Sequence, residues 1–296
     1  MVSRIKYRTL RICLTNACNI RCIYCCGEGY KSNYSILNRD NVYNLVSIAY
    51  DVLGISRVKY TGGEPLLFGE LSSAIMKVNG EYGDKIHQSV VTNGVEHDLF
   101  KKIVTDNRNL EITLSVPCLN TTTFNKLNRS KVENLHAIKR SLDFMIETER
   151  AFKINYVLLK GVNDSQENLE SLFSKVVETD CSLRFLEPIQ NTVNNLADRF
   201  LVDRTEFINT LKNSFKFHES LSTRSHTQLQ NDRITVKYIH SFCSTNCIKC
   251  PDDKSSLWVT SEGKVSSCCY GNLPSKENFI EKWSRTDIRQ VINKYK

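Results

Sequence analysis

No apolar run in this 296-residue chain approaches the ~18 residues needed to cross a bilayer, so a helical membrane span is not expected. No secretory or transit-type segment opens the chain, which points to the cytoplasm. Low-complexity tracts and short-period repeats are missing, which excludes repeat arrays and solenoids. Blocks of like charge are missing too. Forty basic and 32 acidic residues leave a net charge of +8, but the basic residues are dispersed. Neither nucleic acid nor membrane is therefore an expected partner, whereas a small anion fits the sign.

Apolar material is sufficient: 41% hydrophobic residues support one large domain plus a small one and argue against disorder. Cysteine is the surplus. Twelve thiols without an export segment are expected to be reduced, so disulfides are not the reading. Two groups, Cys18 to Cys26 and Cys243 to Cys269, stand near opposite ends. Cys13, Cys118 and Cys181 are isolated and read as buried free thiols.

The first group is the informative one. Cys18, Cys22 and Cys25 share one short loop after a strand-like run, Leu10 to Thr15. Three thiolates at that spacing can hold three corners of a [4Fe–4S] cube and leave the fourth iron open to a small ligand. A zinc knuckle is the bland alternative, but it needs four protein ligands, and the local count reaches four only with adjacent Cys26.

Strand-like and helix-like stretches alternate from here. Strands are expected at Leu10–Thr15, Arg57–Thr61, Ile86–Thr92, Leu110–Val116, Lys153–Leu159 and Ser182–Leu186. Helices are expected at Asp40–Leu53, Leu71–Val78, His97–Val104, Lys131–Thr148, Gln166–Val177 and Asp203–Phe215. Six such units imply parallel strands with right-handed crossovers, an α/β fold curling into an open (β/α)6 three-quarter barrel. Reacting groups of such barrels gather at the carboxyl ends of the strands. The polar stretch His218 to Arg233 reads as a loop. Leu257 to Cys268 reads as a hairpin turning at Glu262-Gly263, and Phe279 to Lys294 as a final helix.

The cysteine run, with Tyr24 beside its last thiol and Gly62-Gly63-Glu64-Pro65 about 40 residues on, resembles the radical S-adenosylmethionine superfamily. The resemblance implies that methionine's amino and carboxylate groups chelate the open iron. One electron then cleaves the sulfonium, and the resulting 5′-deoxyadenosyl radical abstracts a substrate hydrogen. An electron donor such as flavodoxin or ferredoxin is implied as partner. The likeness extends over most of 8–190 and 242–270 to the MoaA-like GTP cyclase branch, through Ile112–Asn120, Lys153–Asp164, Leu183–Pro188 and Leu257–Cys268. It implies that Gly62, Gly63 and Glu64 hold the methionine amino end. Thr92, Ser115 and Asn155 contact its carboxylate or ribose, and Tyr24 and Ile189 lie near the adenine. A plain turn for the glycines, and a satisfied strand polar group for Asn155, remain open. The implied organisation is a radical core over 1–217, a linker or lid over 218–240, and a small cysteine-rich auxiliary-cluster domain over 241–296.

That last domain carries Cys243, Cys247, Cys250 and Cys268, with Cys269 spare. Four thiolates saturate a second [4Fe–4S] cluster as a relay or staple, and that is the expectation; three leave an iron for substrate. Zinc is the alternative by ligand type. Substrate residues are read from charge. Arg57, Lys59 and Thr61 alternate along one strand and share a face. Enclosed cations need an anion to offset their desolvation, unless they snorkel to the rim or pair with acids. Lys160 and Arg184 match further basic positions that contact the triphosphate in the cyclase branch. The departures are Phe68 after the glycine turn, Pro251-Asp252-Asp253-Lys254 after the cysteines, and an ending Lys294-Tyr295-Lys296 in place of a Gly-Gly tail. They argue against GTP itself. The expected function is hydrogen abstraction from an anionic small molecule, such as a nucleotide or sugar phosphate. The segment from Gly271 to Trp283 resembles the peptide-modifying SPASM/twitch branch, so a peptide maturase, acting by crosslinking or epimerisation, is the alternative.

Overall fold

The computed structural model describes residues 7–25, 37–189, 197–240, 255–268 and 278–296. The first half alternates β1 (Thr9–Cys13), α1 (Arg39–Leu53), β2 (Arg57–Thr61), α2 (Leu71–Tyr82), β3 (His87–Thr92), α3 (His97–Asp106) and β4 (Glu111–Ser115). Then follow α4 (Thr121–Leu127), α5 (Glu133–Glu147), β5 (Phe152–Val157), α6 (Gln166–Val176) and β6 (Cys181–Leu186). The remainder comprises α7 (Ala197–Phe200), α8 (Arg204–Phe215), β7 (His218–Ser222), β8 (His226–Gln230), β9 (Thr235–Ile239), β10 (Ser256–Val259), β11 (Lys264–Ser266), β12 (Asn278–Phe279) and α9 (Arg285–Asn293).

Strands β1 to β6 stand side by side in chain order, all parallel, as successive strand–helix units dictate. Parallel β10 extends the β1 edge and parallel β9 extends the β6 edge. Antiparallel β11–β12 and β8–β7 continue outward, and the sheet does not close. The fold is therefore an open α/β barrel.

Alternation along the strands separates two faces. Val58, Tyr60, Val90, Ile112, Leu114, Ile154, Tyr156, Leu183 and Phe185 are fully buried in the layer shared with the helices. The Tyr60 hydroxyl meets Gln88, whose amide reaches Ile75 and Asn79 of α2. The opposite, inner face carries polar side chains, and cross-strand register places them in rows. One row runs Trp258, Arg11, Lys59, Ser89, Glu111. Another runs Ser115, Asn155, Arg184, Lys237.

Two expectations are corrected. The stretch His218 to Arg233, expected as a loop, instead opens the meander β7 to β9. Strand β9 buries Val236 and Tyr238 and is recruited by β6, whereas every residue of β7 is exposed, so no apolar period marks it. The last helix begins at Arg285, capped by the Ser284 side chain accepting from the Asp287 N–H, while Asn278 and Phe279 pair with β11. The expected ligands Cys243, Cys247 and Cys250, with spare Cys269, lie outside the described residues.

Candidate active site

The cysteine loop leaves β1 at the carboxyl end of the parallel strands and is held from four sides. The backbone after β2 zips onto it: Gly63 N–H donates to Thr15 O and Glu64 N–H to Ala17 O, both at 2.7 Å. A Cβ on Gly63 would sit 2.2 Å from Ala17 O, so only glycine permits this approach. The end of α4 supplies a second brace, with Ile23 N–H on Leu127 O and Arg129 N–H on Arg21 O. From α5, Asn134 donates to Asn19 O at 3.1 Å. From the β10–β11 turn, Glu262 accepts from Asn16 at 3.1 Å.

Cys18, Cys22 and Cys25 form no disulfide; Cys22 is buried and the other two half-buried. Burial pushes the Cys18 thiol up to about 11 and Cys22 up to about 12. Without a cation they are neutral; a bound metal deprotonates such thiols outright. The Asn128 amide donates to Cys22 and the Asn93 amide reaches Cys18, while the Tyr24 hydroxyl lies near enough to Cys22 to lower its thiol against the burial. This donor set, three soft ligands on one loop with amide N–H groups aimed at sulfur, fits an iron–sulfur cluster. Among the described residues no three cysteine, histidine or carboxylate side chains converge tightly enough to hold a single ion. A cube distributes its thiolates over separate irons, so the fit rests on ligand chemistry rather than on convergence.

Around this loop the residues singled out from sequence fall into three situations. Gly62 and Gly63 pack on the loop backbone. Glu64 is 1% exposed and already committed: its carboxylate accepts from the Thr92 hydroxyl (2.5 Å), Asn93 N–H (2.8 Å) and Leu66 N–H (3.0 Å). Burial nonetheless pushes Glu64 up to about 7. Thr92 also accepts from Gly94 N–H, so both residues brace the rim. Ser115, the last residue of β4, is the register partner of Asn155 within β5, and the Asn155 Oδ1 is buried without a partner. Ile189 is half-buried, three residues beyond β6. Tyr24 packs against the core, and burial, with the neighbouring thiols, raises its hydroxyl well above the ordinary value.

The cations divide. Lys59 and Arg184 lie together on the inner face, with Arg11, which the sequence reading passed over. Burial first, then Arg11 and Arg184, depress the Lys59 ammonium to about 8. Burial also lowers Arg184. The Arg11 guanidinium lies 4.6 Å from the centroid of the Trp258 ring, and its Nε is buried without a partner. Thr113 Oγ1, on the same face, is likewise unpartnered. Glu111 is paired with Lys153 and lies beside His87 and Arg184; burial pushes its carboxyl up, but Lys153 first and these neighbours after it outweigh burial and hold it below the ordinary value. Arg57 and Lys160 are not part of this group. Arg57 is exposed at the first residue of β2, the opposite rim, and Lys160 is exposed beyond β5. Arg11 was findable: Thr9, Arg11 and Cys13 alternate just as Arg57, Lys59 and Thr61 do. Cys268, the one described member of the second cysteine group's four expected ligands, follows β11 and is half-buried.

Comparison with known proteins agrees with this geometry. The GTP 3′,8-cyclase of Aquifex aeolicus is 29% identical over 290 residues, 93% of this chain and 88% of that one. The GTP 3′,8-cyclase of Helicobacter pylori is 27% identical over 309 residues, 96% of this chain and 89% of that one. Among solved structures, Streptococcus suis SuiB bound to S-adenosylmethionine superposes with a TM-score of 0.69 at 13% identity, over 93% of this chain. The chain spans 63% of SuiB's length. Native anSMEcpe with bound AdoMet gives 0.65 at 16% identity, over 97% of this chain and 82% of that one. Residues 12–173, more than half of the chain, match the Radical SAM superfamily, and the chain belongs to that superfamily of enzymes.

Proposed function

We propose that the enzyme binds S-adenosylmethionine at the rim above the cysteine loop and abstracts a hydrogen from an anionic small molecule seated inside the barrel. Cys18, Cys22 and Cys25 would hold a [4Fe–4S] cluster, which when bound supplies the electron for reductive cleavage of S-adenosylmethionine. The chain's own residues do the rest. The Gly62-Gly63 backbone shapes the floor on which the methionine amino end rests, braced by Glu64 and Thr92. Ser115 and Asn155 face the carboxylate or ribose, the unpartnered Asn155 Oδ1 being placed to accept from a ribose hydroxyl. Tyr24 and Ile189 border the adenine. Arg11, Lys59 and Arg184 hold the substrate anion, and Trp258 walls one side of it.

The observation that carries the substrate reading is an inner group in which cations outnumber the acid beside them. Half-buried Arg11, Lys59 and Arg184 share this face with Lys153, and the one acid acting on them, Glu111, is already paired with Lys153. Such a cluster is costly unless a ligand anion completes it. The relatives named GTP 3′,8-cyclase are similar over nearly the whole chain, in keeping with a phosphorylated substrate. Their identity stays below 30%, and Phe68, where the cyclase branch carries arginine, is buried here, so GTP is one candidate among phosphorylated small molecules. A peptide substrate is supported by the resemblance of the Gly271 to Trp283 segment and by likeness of fold to SuiB and anSMEcpe, and ranks second.

Cys243, Cys247, Cys250 and Cys268 would hold a second cluster, and a flavodoxin or ferredoxin would deliver the electron. The test is binding to the anaerobically reconstituted protein. Inorganic pyrophosphate, nucleotides and sugar phosphates are titrated alongside their unphosphorylated counterparts and a set of short peptides. Binding confined to the phosphorylated compounds, weakened tenfold or more in Lys59→Met and Arg184→Met, supports the reading. Binding of peptides only, unaffected by either substitution, refutes it.

A further inference from the structure

Two side-chain amides point at the cysteine sulfurs, and their orientation is fixed by their other partners. Asn128 follows α4 and is 3% exposed. Its Oδ1 accepts from the Arg21 N–H at 2.8 Å, so its other end, the NH2, must be the one that meets Cys22 Sγ at 3.4 Å. Asn93 follows β3. Its Oδ1 accepts from the Val95 N–H at 2.9 Å, which turns its NH2 toward Asn19 Oδ1 at 2.9 Å and Cys18 Sγ at 3.8 Å. Asn19 in turn donates to the Glu96 carboxylate at 3.0 Å, an acceptor only. Both amides are thus anchored by backbone N–H groups that cannot reverse, which removes the usual ambiguity of an amide flip.

We infer that Asn128, and more weakly Asn93, are positioning residues that raise the reduction potential of the cluster held by Cys18, Cys22 and Cys25 by donating hydrogen bonds to Cys22 and Cys18. An N–H donor stabilises negative charge on a ligand sulfur. Charge on the sulfurs is greatest in the reduced cluster, so each bond favours uptake of the electron. Asn128 does a second task with its other end, pinning the Arg21 backbone and so the orientation of Cys22. Asn134 contacts the same loop at the Asn19 carbonyl and no sulfur. The inference rests on the family's cluster at these three cysteines.

The test is an EPR-monitored redox titration of the full chain, anaerobically reconstituted, with iron content measured on every sample. Asn128→Asp keeps the acceptor for Arg21 and removes the donor to sulfur; Asn128→Leu removes both. Each is expected to lower the midpoint potential, so that at the unaltered protein's midpoint the reduced-to-oxidised ratio falls about tenfold, 59 mV for one electron. Asn93→Leu falls less, and Asn134→Leu keeps the original potential. Loaded Asn128 variants with an unchanged potential overturn the inference, as does an equal fall in Asn134→Leu. If the Asn128 variants take up no iron, an unchanged potential in Asn93→Leu overturns it and a lowered one supports it. Absence of any cluster signal in the unaltered protein overturns the cluster reading along with this one.

Discussion

Replacing Lys59 by methionine is expected to stabilise the ligand-free protein, against the usual sign for a buried substitution. The ammonium is depressed from 10.5 to about 8 by burial, Arg11 and Arg184. At 1.36 kcal/mol per pKa unit that is about 3 kcal/mol of unfavourable charging in the folded state. Methionine matches the length of the stem and removes the charge, so at pH 7 the variant gains about 2–3 kcal/mol, or roughly 5 °C in Tm for a chain of this size. The pH dependence fixes the cause. Between about pH 8 and 10.5 the unfolded chain binds more protons at this site than the folded one, so stability of the unaltered protein rises with pH across that window. The advantage of Lys59→Met therefore shrinks as pH rises from 8 and vanishes near 10.5. Pyrophosphate should narrow the gap at pH 7, because a ligand at a hundred times its Kd adds about 2.7 kcal/mol to the protein that binds it and less to a variant that binds it more weakly. The assay is anaerobic thermal unfolding by circular dichroism, at several pH values, with and without pyrophosphate. A Met variant destabilised at pH 7, or one whose advantage persists unchanged to pH 10, refutes the reasoning.

Other perturbations address the rim. Gly63→Ala drives a methyl group into the Ala17 carbonyl and is expected to cost on the order of 3 kcal/mol or more, with loss of iron uptake measured after reconstitution. Glu64→Gln turns an NH2 against the Asn93 N–H and costs about 1–3 kcal/mol in denaturant unfolding. Because Glu64 is raised from 4.5 to about 7, its contribution to stability in the unaltered protein declines as pH rises across that window, and the Gln variant lacks this slope. Cys22→Ala should abolish 5′-deoxyadenosine formation; in the unaltered protein about eight irons per chain support two clusters, and about four leave only the first.

The barrel was legible because each of its six strand–helix units announces itself locally. Tyr60 and Val58 on one face, Lys59 and Arg57 on the other, state both the strand and its two environments. The meander β7 to β9 was not legible, because an edge strand exposed at every residue has no apolar period to read. The seven-residue helix α4 escaped for a related reason: its start is a cap, Asn120 accepting from the Thr123 N–H, and its length is under two turns. Yet α4 delivers Asn128 to Cys22 across 106 residues of chain, and β3 delivers Asn93 to Cys18 across 75.

Motif spacing identifies the atoms that bind a metal, since one loop must present them together. It says nothing of the amides that meet those atoms from elsewhere, because such residues answer to tertiary geometry alone. The same division holds inside the barrel. Strand alternation shows that Arg57, Lys59 and Thr61 share a face, but not which end of the strand is enclosed. The structure separates them: Lys59 joins Arg11 and Arg184, while Arg57 stays at the open rim. What distinguishes the buried cations from their neighbour is thus not residue type but depth along β2, a quantity that appears only when β1 and β6 are folded around it.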